Sequence, residues 1–187
     1  QPYYPLNKIG FNLSGHCQDC ERWTLMTKGN QGHSSVTVNN ARYIVNAYAP
    51  ITGFKTGKKP EVAIDMTEIF GGQLTSLQRK FIKESNKSFI IEDQIELNDS
   101  TRHITWALMT VAQVTPVKNG AVLHQDGKEL KLSILAPGKL EVSVISLDPP
   151  PLEIDKTIEN LKRIEIRIPA YLFPDKEGLI RVRLSSE

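Results

Sequence analysis

The sequence is poor in cysteine, aromatic residues and net charge, and each shortage argues against a class of protein. Its 187 residues include two cysteines, 7% aromatic residues and a formal net charge of +2. So few aromatic residues leave little for the exposed aromatic row of a carbohydrate-binding module. The nearly balanced charge, with lysine and arginine spread along the chain, gives no reason to expect nucleic acid as a partner.

Long apolar runs and targeting signals are also missing. No run approaches the roughly 18 residues that a membrane helix needs, so we expect no membrane partner. The first residues, QPYYPLN (1–7), show neither a charged segment followed by an apolar core nor an initiator methionine. We interpret the sequence as a mature chain or an excised fragment, so a missing signal indicates nothing about compartment.

The two cysteines lie close together, as Cys17 and Cys20 in HCQDC. A thioredoxin-like pair would stand between a strand and a helix, and no such pattern surrounds it. A zinc site usually needs a second cysteine pair, which is missing even though His16 is adjacent. Two ordinary loop cysteines, a local disulfide, and metal or redox chemistry all stay open.

Alternation of polar and apolar residues dominates the chain, and helical periodicity is almost absent. Turn dipeptides such as Asn119-Gly120 and Asp126-Gly127 separate the alternating segments. The pattern predicts an all-β fold: an antiparallel, multi-stranded β-sandwich, supersandwich-like, forming a single domain over 1–187. Strands are expected at 21–27, 34–40, 42–49, 62–66, 76–84, 88–97, 103–117, 121–125, 131–135, 140–147, 162–170 and 179–184.

Some connections are predicted in more detail. Asn39-Asn40 suits a tight turn, so 42–49 is expected to return as the partner of the strand before it. At most a short helical turn is expected, within 154–163, and the DPPP run at 148–151 must lie in a loop. Residues 1–20 form an irregular leading segment, and a loop of that length indicates that a neighbouring part of the protein is missing.

The sequence lacks several of the common catalytic and ion-binding motifs. Phosphate loops, GxSxG elbows, HExxH and EF-hand patterns are absent from the sequence. Glu92 and Asp93 are adjacent in a predicted strand, so their side chains point to opposite faces and are expected at the surface or a sheet edge. Trp23 and Trp106 are expected in the core, and a face that stacks on sugar rings is the alternative. His103 and His124 are expected to have structural or surface roles.

His33 is the most informative histidine, in the stretch GNQGHSSVTVNN (29–40). It follows a polar segment with two glycines and leads directly into a predicted strand. An imidazole held at a strand start is a good metal ligand when carboxylates or another histidine converge on it. A surface residue without a task and a catalytic base are the alternatives.

Several segments together resemble the heparinase II/III family of polysaccharide lyases. ERWTLMTKGNQGHSSVTVNN (21–40) is similar to the part of that family in which a histidine opens a strand. The stretch 62–97, with Asp65, Phe70 and Arg79, resembles the part that follows, and ITWALMT and VISLDPPP resemble its carboxyl-terminal half. The resemblance covers nearly the whole chain.

The resemblance implies a carboxyl-terminal β-sheet domain of an enzyme whose amino-terminal α/α toroid is absent from this sequence. The family cleaves uronic-acid-containing polysaccharides, such as heparan sulfate or alginate-like polymers, by β-elimination. Its proton-transfer residues come from the toroid and an earlier strand, so we expect no catalytic residue here and no activity of this chain alone. Acidic polysaccharide and the toroid are the implied partners, and the periplasm or secretion from a bacterium is the implied location.

The resemblance also implies that His33 helps to bind a divalent metal, zinc or calcium, in the full-length enzyme. The partner acid should lie shortly upstream, where Asp19 is the candidate but does not fit the motif, and a lone histidine holds no structural metal tightly. We therefore expect no metal bound to this chain alone. A carbohydrate-binding module and a purely structural sandwich are the alternatives to a lyase domain.

Overall fold

The computed structural model describes residues 10–186 and contains two antiparallel sheets. Four short 3-10 turns are the only helical elements in this range, and no helix there is long and apolar enough to cross a membrane. The strands are β1 (Val36–Val38), β2 (Ile51–Lys55), β3 (Glu61–Asp65), β4 (Ser76–Lys83), β5 (Ser88–Glu96), β6 (His103–Thr110), β7 (Gln113–Val117), β8 (Gly120–Gln125), β9 (Lys128–Ala136), β10 (Ser143–Ser146), β11 (Lys162–Pro169) and β12 (Glu177–Ser185). The predicted all-β sandwich is confirmed.

The two sheets differ in width, and the chain passes repeatedly between them. The small sheet has the order β1-β6-β11-β10, and the large sheet has the order β2-β3-β4-β5-β12-β9-β8-β7. The segment 103–117, predicted as one long strand or as two strands joined by a bulge, forms two strands, β6 in the small sheet and β7 in the large one. The last strand, β12, lies in the middle of the large sheet between β5 and β9.

The core lies between the sheets because one face of each strand is apolar. On β11, Ile164, Ile166 and Ile168 alternate with polar residues and are fully buried. Trp106 on β6 is buried with them, as predicted, and is 1% exposed. This alternation directs every second side chain of the small sheet toward its outer face, where a groove lies.

Three local predictions are wrong. Residues 21–27 hold a 3-10 turn at Glu21–Thr24 rather than a strand, and Trp23 there is half-buried rather than in the core. Asn39 and Asn40 do adopt the positive φ of a tight turn, but 42–49 contains no strand. The partner of β1 is instead β6, about 65 residues further along the chain. The sequence allows at most a short helical turn within 154–163, and this segment contains only bends and hydrogen-bonded turns before β11 begins at Lys162.

The prediction for Asp93 is also wrong, because this residue is fully buried. Its carboxylate receives two hydrogen bonds from Arg79, from Nε at 2.5 Å and from Nη2 at 2.8 Å. The side chains of Arg79 and Asp93 are 5% and 0% exposed. The pair lies directly across the β4–β5 ladder, so two charges share one site inside the sandwich.

Candidate functional site

The outer face of the small sheet forms the floor of a groove of about 520 Å³, which we call the sheet groove. Thr37 on β1 and Thr105 and Ala107 on β6 form this floor. They point outward because Val36, Ile104 and Trp106, their neighbours in sequence, point into the core. Small side chains on the floor leave space above the sheet, and longer side chains stand on both sides.

Strand β11 forms one wall, with Arg163, Glu165 and Arg167 on the outward face. Arg163 donates from Nη1 to the carbonyl of Gln31 at 2.7 Å, and its Nε lies 2.7 Å from Glu165 Oε1. Arg163 is therefore held in place from both sides. Arg167 is exposed. The pKa of His103 is lowered mainly by desolvation of its ring and secondly by the positive charge of Arg167.

The opposite wall is the polar stretch 29–35, which the glycines allow to fold tightly. A Cβ on Gly32 would collide with the carbonyl oxygen of Met26, so only glycine fits there. The Gln31 amide group lies within 3.3 Å of the carbonyls of Trp23, Thr24 and Leu25 and donates to them. These contacts explain the GNQGH stretch: its glycines and amides fix the loop that carries His33.

A second cavity of about 420 Å³, the loop pocket, opens beside the sheet groove. Both are lined by Asn30, His33, Ser35 and Arg42, so the two cavities adjoin, and we call them together the depression. The remaining walls of the loop pocket are mostly apolar, and residues 43–47 contribute most of them. Burial raises the pKa of Tyr43, whose hydroxyl lies 2.6 Å from Ser35 Oγ.

The two cysteines form a disulfide at the rim of the loop pocket, which decides among the three alternatives. The enclosed residue Gln18 donates to the carbonyl of Tyr43 at 3.0 Å and accepts from the N–H of Val45 at 2.8 Å. The indole of Trp23 donates to the carbonyl of Cys17 at 2.9 Å. The disulfide loop therefore joins two walls of the pocket and orients an aromatic ring.

His33 stands at the junction of the sheet groove and the loop pocket, with an exposed side chain. Its backbone is extended and its N–H donates to the carbonyl of Asn30 at 3.2 Å. Within residues 10–186, no group of three histidine, cysteine or acidic side chains could hold a metal. Asp19 does not line either cavity. A metal role for His33 stays a prediction.

The lining of the depression is strongly basic. It carries four cationic side chains and one carboxylate, Glu165, which gives a formal charge of +3 with the histidines neutral. The cations are Lys28, Arg42, Arg163 and Arg167, and His16 and His33 add charge when protonated. A groove lined by charge of one sign concentrates ligands of the opposite sign. The site is therefore suited to an extended anionic ligand with polar groups.

The arginines of the site were not singled out from the sequence, although one signal for them exists. Strict alternation in KRIEIRIP (162–169) predicts that its charged residues share a wet face. That face meets Arg42 and His33 only because β11 pairs with β6 and β6 pairs with β1. Periodicity contains no information about those long-range pairings.

Comparison with known proteins identifies similar structures but no similar sequence. No protein-family model matches the chain, and no curated protein matches it. A heparan sulfate lyase, HepC from Pedobacter heparinus, superposes with a TM-score of 0.64 at 15% identity, over 89% of this chain and 25% of that one. A mutant of HepC gives 0.66 at 13% identity, over 100% and 27% of the two chains. Heparinase III gives 0.65 at 14% identity, over 94% and 27%.

These likenesses confirm, at the level of the fold, the resemblance that the sequence predicts. The chain spans about a quarter of the length of the solved lyases that it matches.

Proposed function

We propose that the chain is the carboxyl-terminal β-sheet domain of a heparinase II/III-like polysaccharide lyase and that its basic depression contacts an acidic polysaccharide. The observation that carries this proposal is the formal charge of +3 on the joint lining of the sheet groove and the loop pocket. The fold shared with heparan sulfate lyases supports it. The polymer would contain uronic acid, as heparan sulfate and alginate-like polysaccharides do.

The proposed reaction is β-elimination. A base removes the proton at C5 of the uronate, the carboxylate is neutralised, and a tyrosine-type acid protonates the leaving oxygen. In this chain, Arg42 and Arg167 are suited to the carboxylate or sulfate groups, because a guanidinium binds such groups through two parallel hydrogen bonds. The groups that move protons would belong to the α/α toroid and to an earlier strand.

Arginine substitution tests the role of the depression. We expect Arg42→Ala and Arg167→Ala each to weaken binding of heparan sulfate fragments about tenfold, since a hydrogen bond to a charged group contributes roughly 1.5–3 kcal/mol. Added salt should reduce the affinity of the wild type and make the difference in affinity between the wild type and each variant smaller. Affinity electrophoresis or calorimetry measures both effects.

Arg102→Ala is the matched control, because Arg102 is exposed on the same domain but lines neither cavity. Its affinity should equal that of the wild type. Equal weakening by all three substitutions would indicate a general effect of net charge, and the depression would then not be the binding site.

A lyase assay separates this proposal from its main alternative, a free-standing carbohydrate-binding module. Trp23 favours that alternative, since a half-buried indole beside the loop pocket offers a stacking surface for a sugar ring. The intact polypeptide should release unsaturated oligosaccharides from a uronate polymer, and the 187-residue chain should release none. Unsaturated product from the chain alone would refute the assignment of the catalytic groups to the toroid.

We also propose that His33 contributes one ligand to a zinc or calcium site completed by residues outside this chain. Its exposed imidazole, fixed at the start of β1, supports the proposal. Metal analysis of the intact protein and of its His33→Ala variant tests this proposal, because equal metal content in both would show that His33 is not a ligand.

A periplasmic or secreted location is supported by the disulfide, which persists in oxidising compartments. Fractionation of the source cells tests that location.

A further inference from the structure

An apolar row crosses the inner face of the large sheet and passes from the core into solvent. Paired residues along it are Phe54 on β2, Val62, Phe81, Ile91, Val182 and Ile134 on β9. Val182 and Ile134 are 0% and 6% exposed, the three residues between them and β2 are half-buried, and Phe54 is 73% exposed. If the β2 end of this row faced solvent in the functional protein, polar side chains would be expected there instead of Phe54.

The unequal width of the sheets explains this gradient. The small sheet has four strands and the large sheet has eight. At one side β10 contacts β7, so β1 is the edge of the small sheet that faces toward β2. Next to β1 the Tyr43 hydroxyl donates to the Val36 carbonyl, and the chain then leads to β2. Beyond that segment, within the described residues, nothing covers the end of the row at Phe54.

The two edges of the large sheet are built differently. Edge strand β7 contains Pro116, which cannot donate a ladder hydrogen bond and so protects an edge from pairing. Edge strand β2 contains no proline and exposes Ile51 at 69% as well as Phe54. Natural proteins seldom leave such an edge open to solvent, so β2 and the adjacent row have the character of an interface.

The charge around this surface limits what can cover it. Exposed lysines border one side of the row, at the neighbouring ends of β2, β3 and β4, namely Lys55, Lys58, Lys59 and Lys83. Two carboxylates lie among them, Glu61 and Glu84, so this border has a formal charge of +2. A second copy packed face to face would bring two basic rims together, which like-charge repulsion disfavours. The complementary surface is apolar in the middle and acidic at its edge.

We propose that the row from Phe54 to Ile91 and the β2 edge form a docking surface for the remaining polypeptide of the intact enzyme, packed in cis. This inference rests on the proposed function, in which the chain is one part of a longer lyase. The matched lyases are about four times as long as the stretch that this chain covers, so polypeptide of sufficient length exists in proteins with this fold. The contacting segment is apolar with an acidic border.

Thiol labelling of the intact polypeptide tests the docking surface. Within the described residues no cysteine is free, so the labelling of Phe54→Cys and of Val117→Cys is each measured above the background reaction of the unsubstituted polypeptide. Val117 lies on the opposite edge strand and is 41% exposed. We expect Phe54→Cys to react at least roughly tenfold more slowly than Val117→Cys, because labelling must await local opening of the covered surface. Equal rates would overturn the proposal.

Two further measurements distinguish the possible covers. Protection of Phe54→Cys that disappears on dilution, together with a fall in sedimentation coefficient, would indicate a second copy and overturn docking in cis. Zero-length cross-linking of the unsubstituted protein should join Lys55, Lys58 or Lys59 to carboxylates outside these 187 residues. Cross-links confined to the 187 residues would also overturn it.

Lyase activity, measured on the same proteins, keeps the two proposals separate. An active enzyme with a fully reactive Phe54→Cys would refute only the docking surface. An inactive polypeptide with a protected thiol would refute only the lyase assignment.

Discussion

Replacing Arg79 with alanine is expected to lower the free energy of unfolding by about 3–5 kcal/mol, because it leaves the Asp93 carboxylate buried without its partner. The two side chains are 5% and 0% exposed and share two hydrogen bonds, so water cannot replace the missing guanidinium. Denaturant titration at neutral pH measures the change. Asp93→Ala should have an effect of similar size, since it leaves the opposite charge unpaired.

Two control variants test the cause of this loss. Lys176→Ala removes a pair with a similar distance, 2.7 Å to Asp99, but with side chains 56% and 95% exposed. It should change stability by less than about 1 kcal/mol. Replacing Arg79 and Asp93 together by Met and Leu should recover much of the loss, because no charge stays buried. A cost below about 1 kcal/mol for Arg79→Ala alone would show that the pair is not desolvated.

Gly32→Ala is expected to destabilise the protein by about 1–3 kcal/mol or more and to disrupt the wall of the sheet groove. The added Cβ would collide with the Met26 carbonyl oxygen, and the backbone of the loop would have to move. Gln31 and His33 are the adjacent residues, so the Gln31 carbonyl that receives Arg163 and the start of β1 would shift too. Denaturant titration and heparan sulfate binding should both show the effect.

Gly138→Ala is the matched control, since a Cβ there meets nothing within 4 Å and its φ is not positive. It should leave stability and binding nearly unchanged, or stabilise slightly by restricting the unfolded chain. If both alanine variants behaved alike, the tight contact at Gly32 would not be what determines the loop conformation.

The sequence predicts the fold class and most strands because alternation is a local property. Both hairpins predicted at turn dipeptides are confirmed: Asp126-Gly127 forms the turn between β8 and β9, whereas Asn119 stands in the turn before Gly120, the first residue of β8. Both Asn119 and Asp126 adopt positive φ. The strand predicted at 42–49 fails because turn chemistry at Asn39-Asn40 is local, whereas the pairing of β1 with β6 depends on the whole sandwich. Propensity and turn signals cannot distinguish these two partners.

The buried ion pair is a case where the sequence contained a signal that single-residue reasoning did not use. A hairpin centred near Asn86 places Arg79 directly opposite Asp93, seven residues away on either side, as the ladder shows. Because Arg79 can neutralise its charge from the opposite strand, Asp93 can be buried. For the basic depression no such short-range rule exists, since it joins residues 30–42 with β11 through β6.

The place of β12 has a consequence for biosynthesis. Because the last strand of the described chain separates β5 from β9, the ribosome must finish almost all of this sequence before the large sheet can become continuous. Until then β2–β5 and β7–β9 are two unconnected ladders with open edges. In the nascent chain the pairing of β12 with β5 and β9 is therefore the last step in forming the large sheet. Premature termination before β12 would release an aggregation-prone product rather than a smaller stable protein.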